Sequence, residues 1–116
     1  MLKQGVVIFL GGGLGALLRW RLSTFNADAF MPVGTLVANV LGCLVLGVVL
    51  GSLRPGSLAF LFLVAGFCGA LTTFSTLTFE WVDARSTWSA MVYGVVTVAA
   101  GVGALLLGMR LGRWLA

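Results

Sequence analysis

The feature that most constrains this chain is a polar cluster set inside an apolar run. Residues 58–80 read as a span long enough to cross a membrane. Yet the stretch Gly66-Phe67-Cys68-Gly69-Ala70-Leu71-Thr72-Thr73-Phe74-Ser75-Thr76 carries two glycines and then four hydroxyls in five residues. Hydrocarbon supplies no water to an unsatisfied polar group, so hydroxyls at this depth need partners. They can turn back onto their own helix carbonyls, or face a wet cavity or a partner helix. Glycine and threonine also permit close helix packing. As a cluster, these residues predict a helix that breaks within the membrane and turns its polar groups toward a protein-lined path.

The rest of the chain leaves little room for another reading. It has 116 residues, 60% hydrophobic and 9% charged, against about 25% charged in an ordinary soluble domain. The expectation is an all-α integral membrane protein forming a single transmembrane domain, with spans at about 4–22, 33–53, 58–80 and 89–109. Each is about 20 residues, enough to cross a hydrocarbon core of about 30 Å. Trp20, Trp81, Trp88 and Trp114 all fall at span ends, as an interfacial aromatic belt requires. Gly11 and Gly15 make a small-residue face on the first span, and Thr35 and Asn39, four apart, share a face of the second. Asn26, Asp28 and Pro32 mark a loop, and Arg54-Pro55-Gly56-Ser57 a turn. Cys43 and Cys68 fall inside spans and read as small core residues. Nucleic-acid binding would need a concentrated basic stripe, and the seven basic residues are instead scattered near span ends.

With four spans, one side of the membrane holds Lys3, Arg54, Arg110 and Arg113, and the other Arg19, Arg21 and Arg85. Orientation normally follows the excess of Lys and Arg on the cytoplasmic side. Four against three gives almost no instruction, so the chain is expected to insert both ways up. Two copies of opposite orientation would then pair about an axis in the membrane plane, as inverted repeats do within one chain.

Catalysis is not expected. Histidine is absent, no span holds paired carboxylates, and Ser75 has no base to activate it. A dual-topology transporter of the small multidrug type is the alternative of similar size. Proton coupling usually needs an acid inside the membrane, and Asp28, Glu80 and Asp83 read as loop or span-end residues. A purely structural membrane subunit is a second alternative. What remains is an uncharged polar track of Thr35, Asn39, Thr72, Thr73, Ser75, Thr76, Tyr93 and Thr97. Its O–H and N–H donors, without buried positive charge, suit a small anion that must bind and leave. Phe74 could add its electropositive ring edge, although a phenylalanine is more often a packing residue.

Three motifs, taken in order, resemble the Fluc (CrcB) fluoride channel family over essentially the whole chain. They are Gly11-Gly12-Gly13-Leu14-Gly15-Ala16-Leu17-Leu18-Arg19-Trp20, Gly34-Thr35-Leu36-Val37-Ala38-Asn39-Val40-Leu41-Gly42 and Gly69-Ala70-Leu71-Thr72-Thr73-Phe74-Ser75-Thr76, with Glu80 four residues later. The resemblance implies an antiparallel, dual-topology homodimer in the cell's inner (plasma) membrane. It would passively export fluoride through two pores and so protect against fluoride toxicity. It also implies a central sodium ion held by main-chain carbonyls, here those of Gly69 and Thr72. The fluoride pathway it implies contains Asn39, Phe74, Ser75, Thr76, Tyr93 and Thr97, with Arg19 in an anion-attracting vestibule. Two positions depart from the family pattern: Leu77 stands where a second phenylalanine is usual, and Gly101 thins the polar face that Tyr93 and Thr97 begin.

Overall fold

The computed structural model describes residues 1–27 and 30–116. Four helical segments are long and apolar enough to cross a membrane, and among the described residues there is no strand. Helix α1 is Leu2–Ser23, followed by a 3-10 turn at Thr24–Asn26. Helix α2 is Val33–Ser52. The third segment comprises α3, residues 58–71, and α4, Phe74–Val82. Helix α5 is Thr87–Leu115. Asp28, one of the three acids of the sequence, lies outside the described residues.

The boundaries follow from local chemistry. Ser57 N of the 54–57 turn donates to Arg54 O at 3.2 Å, and Gly56 has φ 81°. Pro55 at the second position and a positive φ at the third are the requirements of a type II turn. Ser57 then caps α3 by accepting from Phe60 N, and Ser86 caps α5 by accepting from Ser89 N; both satisfy N–H groups that a helix start leaves free. Helix α5 runs past the expected end near 109 to Leu115. Its 29 residues give about 44 Å at 1.5 Å per residue, so Arg110, Arg113 and Trp114 extend beyond a core of about 30 Å while staying helical. Within α3, residues Leu61–Cys68 wind as a π-helix, a geometry that is rare and tends to occur at functional sites.

Two helix pairs form the frame, and glycines set both contacts. In the first, α1 packs on α3. A Cβ at Gly11 would meet the Phe62 carbonyl oxygen, one at Gly15 the Phe67 carbonyl oxygen, and one at Gly66 the Ile8 oxygen at 2.7 Å. In the second, α2 packs on α5, with Gly47 and Gly51 facing Gly108 and Gly112. Without a hydrophobic force between helices in lipid, such backbone-to-backbone approach is what association rests on. Few side chains are enclosed: Ala38 and Leu71 are fully buried, and Tyr93, Val49 and Cys68 nearly so. Helix α4 makes little contact with its neighbours and leaves Phe74, Phe79 and Val82 exposed. That surface fits lipid or another protein surface better than water.

The α2–α5 contact yields a prediction. A Cβ at Gly47 would lie 2.9 Å from Met109 N and 3.0 Å from Gly108 Cα, both backbone atoms that cannot rotate away. Gly47→Ala should therefore force the helices apart at about 1–3 kcal/mol. It should lower the unfolding temperature of the detergent-solubilised protein. Gly103→Ala, with nothing within 4 Å, should leave that temperature unchanged or slightly raised.

Candidate functional site

The site is built where the third segment stops being helical. Helix α3 ends at Leu71, Thr72 has φ −78° and ψ 151°, Thr73 has φ −149° and ψ 125°, and α4 starts at Phe74. Two extended residues between helices divert several main-chain groups from their helical partners, and in an apolar setting each must be satisfied another way. Asn39 of α2 takes two of them. Its Oδ1 accepts from Thr73 N at 2.8 Å, and its Nδ2 donates to Thr73 O at 3.3 Å. Arg19 of α1 donates from Nε to the Ala70 carbonyl at 2.9 Å. Thr72 turns back, donating from both N and Oγ1 to the Cys68 carbonyl at 3.0 and 2.8 Å. Thr73 caps α4: its Oγ1 accepts from Thr76 N at 3.2 Å and donates to Thr76 Oγ1 at 3.2 Å. Gly42 makes room for this arrangement, since a Cβ there would run into Thr72 Cγ2.

The carbonyls of Gly69 and Thr72 stand differently. Their helical donors would be the N–H groups of Thr73 and Thr76, which go instead to Asn39 Oδ1 and Thr73 Oγ1. Both residues line a cavity of about 410 Å³ between α2, α3, α4 and α5, together with Asn39, Phe74, Leu77 and Thr97. Neutral main-chain oxygens released from helix bonding are the donor set a hard, oxygen-seeking cation takes.

A second cavity, of about 300 Å³, is lined by Arg19, Trp20, Ser23, Thr35, Thr73 and Thr76. Thr73 borders both cavities. Ser75 is exposed, 3.4 Å from Thr73 Oγ1. Leu77 lines the same cavity as Phe74, whereas Phe79, 69% exposed, does not. The residue at the second phenylalanine position is thus a neighbour of Phe74, as their spacing predicts.

Tyr93 sits elsewhere. It is 1% exposed, and its hydroxyl donates to Glu80 Oε2 at 2.9 Å. Glu80 Oε1 receives Thr35 Oγ1 at 2.6 Å and Asn26 Nδ2 at 3.2 Å. Asn26 Oδ1 in turn accepts from Thr35 N at 3.1 Å. Gly34 permits this closure, because a Cβ there would meet the Leu22 carbonyl oxygen. Two members of the polar track, Thr35 and Tyr93, thus converge on the carboxyl group of Glu80 near the end of the third span. The signal was present in the spacing, since Thr76 and Glu80 are four apart and so share one face of α4. Apart from Ser75, which lines neither cavity, the site residues fall into three groups. Asn39, Phe74, Thr97, Gly69 and Thr72 surround one cavity, Arg19 and Thr76 another, and Tyr93 belongs to the Glu80 cluster.

Four apolar helices with hydroxyl, amide and free carbonyl groups gathered between them define a small multi-pass membrane protein. Residues 6–109 match the family model described as CrcB-like protein, Camphor Resistance (CrcB), and the chain belongs to that family. It is 38% identical to a Staphylococcus aureus protein named fluoride-specific ion channel FluC 1, over 94% of this chain and 96% of the relative. It is likewise 38% identical to proteins named fluoride-specific ion channel FluC 2 from Staphylococcus haemolyticus and Staphylococcus saprophyticus, with the same coverage.

The Glu80 cluster yields the second prediction. Tyr93→Phe removes a donor from a carboxylate in a confined setting, where such a bond is worth about 1.5–3 kcal/mol. The unfolding temperature should fall, and Thr35→Val should lower it as well. Because both act on Glu80, the double variant should lose less than the sum of the two.

Proposed function

We propose that this chain is a fluoride-selective ion channel that passively exports fluoride across the plasma membrane and so protects the cell from fluoride toxicity. The observation that carries this reading is the extended pair Thr72 and Thr73, with both main-chain groups of Thr73 bound by Asn39, beside a cavity that Asn39 and Thr97 also line. It occurs in a chain 38% identical over 94% of its length to proteins named fluoride-specific ion channels. The reading is of a channel and not an enzyme. A proton-coupled transporter of the small multidrug type is not favoured, because the relatives carry a channel's name.

The proposed mechanism follows from the chemistry of the lining. Arg19 borders an outer cavity and attracts anions by its charge. Thr73 and Thr76 present hydroxyls next, with Ser75 nearby. Asn39, Phe74 and Thr97 line the inner cavity, where N–H and O–H donors and a phenyl edge replace part of the ion's hydration. Neutral donors bind without the grip of a full charge, which leaves conduction possible. Glu80 acts at one remove, holding Thr35 and Tyr93 in place.

The break in the third span is proposed to be functional and to lie at membrane depth. The chain is proposed to act as one transmembrane unit in an antiparallel, dual-topology homodimer. The near balance of basic residues across the membrane supports that pairing, as do the exposed apolar side chains of α4 and α5, such as Phe74, Met91, Val95 and Val98. A sodium ion is proposed to be held by the Gly69 and Thr72 carbonyls of both copies. Their release from helix bonding supports this. The ion would neutralise carbonyl dipoles that otherwise converge without donors.

The purified protein in liposomes should release fluoride, read by a fluoride electrode, and should not release chloride. Asn39→Ala loses two hydrogen bonds at the break, each worth about 1 kcal/mol, and should slow efflux by about tenfold or more. Phe74→Ala should also slow it, whereas Leu77→Phe should not abolish it. A tag on one loop should be cleavable from outside in about half of the copies, as insertion both ways up requires. A folded dimer that releases no fluoride would contradict the proposal.

A further inference from the structure

The charged side chains are unevenly shared between the two ends of the bundle. One end holds the start of α1, the 54–57 turn and the end of α5. Close packing brings these elements together: a Cβ at Gly66 would lie 2.7 Å from the Ile8 carbonyl oxygen, and one at Gly51 would lie 2.9 Å from Arg113 N. Lys3, Arg54, Arg110 and Arg113 are all at this end and all exposed, and the sequence places no acidic side chain there. The opposite end carries Arg19, Arg21 and Arg85 against Asp28, Glu80 and Asp83. There Arg19 is bound to the Ala70 carbonyl, and Arg85 borders one cavity with Glu80 and Asp83. The chain thus compensates its own charge at one end and not at the other. The dipoles of α2 and α5 favour cations at their last turns, but that of α1 disfavours Lys3 in its first turn. Helix dipoles therefore do not account for the set.

The outer face of α5 shows what such an end can hold. Val102, Leu106, Arg110 and Arg113 follow one another at intervals of four, four and three, so they form one strip. It faces away from α2, since Gly108 and Gly112 make that contact. Val102 is 53% exposed and Leu106 55%. About 20 residues cross the hydrocarbon core, so a span entering near Ser89 leaves it near Gly108. The strip is therefore apolar at the depth of lipid tails and cationic at the depth of headgroups. Trp114, exposed and four residues after Arg110, has the indole that suits this boundary.

We propose that this end of the bundle binds a phospholipid with a net negative headgroup, its phosphate held by Arg110 and Arg113 and its chains lying along Val102 and Leu106. A guanidinium recognises phosphate through paired N–H donors. A choline headgroup brings a cation of its own, which Lys3 and Arg54 repel. A headgroup without that cation, as in phosphatidylglycerol, leaves the attraction whole. The inference needs only the membrane setting of α5 and stands apart from the channel reading.

Native mass spectrometry tests it, with the purified protein released from detergent micelles doped with equal amounts of phosphatidylglycerol and phosphatidylcholine. The expected result is retention of phosphatidylglycerol over phosphatidylcholine by about tenfold. Arg110→Gln/Arg113→Gln should bring that ratio close to one. Arg110→Lys/Arg113→Lys, which keeps the charges, should preserve most of it. Arg21→Gln/Arg85→Gln, at the compensated end, should leave it unchanged. All of these side chains are exposed, so the variants should keep the unfolding temperature of the unaltered protein. An excess of glycerol phosphate, which has the anion and no chains, should displace none of the bound lipid. Equal retention of the two lipids by the unaltered protein would overturn the inference. So would a preference that survives Arg110→Gln/Arg113→Gln, one that falls equally in Arg21→Gln/Arg85→Gln, or displacement by glycerol phosphate.

Discussion

Everything about the candidate site depends on two main-chain groups of one residue. Thr73 is extended in a segment that is helical on both sides, and its N–H and carbonyl are bound by the Asn39 side-chain amide. In an apolar medium each unsatisfied backbone group costs several kcal/mol. An extended residue in an apolar segment is sustainable only with such a substitute. An amide side chain serves because it offers a donor and an acceptor together. Aspartate would lack the donor, and leucine both groups.

The consequences extend from that pair. Diverting Thr73 N to Asn39 releases the Gly69 carbonyl, and diverting Thr76 N to the Thr73 cap releases that of Thr72. The same geometry starts a new helix at Phe74, which puts Phe74 and Leu77 onto the cavity that Asn39 lines. Arg19 ties the Ala70 carbonyl from the other side while bordering the outer cavity. Asn39 and Arg19 therefore set the shape of this segment. The Glu80 cluster anchors the far end of α4 to α2 and α5 through Thr35 and Tyr93. That matters because α4 is otherwise lightly packed.

The helices were legible because their signals are compositional. Apolar length, tryptophans at the ends and the Pro55-Gly56 turn place four segments to within a few residues, apart from the helical continuation through Arg110 and Arg113. The polar cluster of the third segment was legible too, since hydroxyls in hydrocarbon demand an explanation. Other features were not. Nothing in the order of residues says that Asn39 meets the backbone of Thr73 and not its side chain, because that contact joins residues 34 apart. The role of Glu80 was hidden because a carboxylate near a span end ordinarily faces headgroups. Here it is drawn inward by three donors, one of them at Asn26, from a stretch that reads as loop. Tyr93 and Thr97 share a face by spacing, yet one is tied to Glu80 and the other has no hydrogen-bond partner among the described residues.

The measurement that tests the central claim most directly is the reversal potential of currents carried by the purified protein in a planar bilayer, with both anions on both sides and their concentration gradients running in opposite directions. A path lined by neutral donors and narrow enough to favour a small anion predicts discrete currents that reverse near the fluoride equilibrium potential, with no measurable chloride component. Currents that reverse near the chloride potential, or a well-folded protein that carries no current in fluoride, would contradict the account.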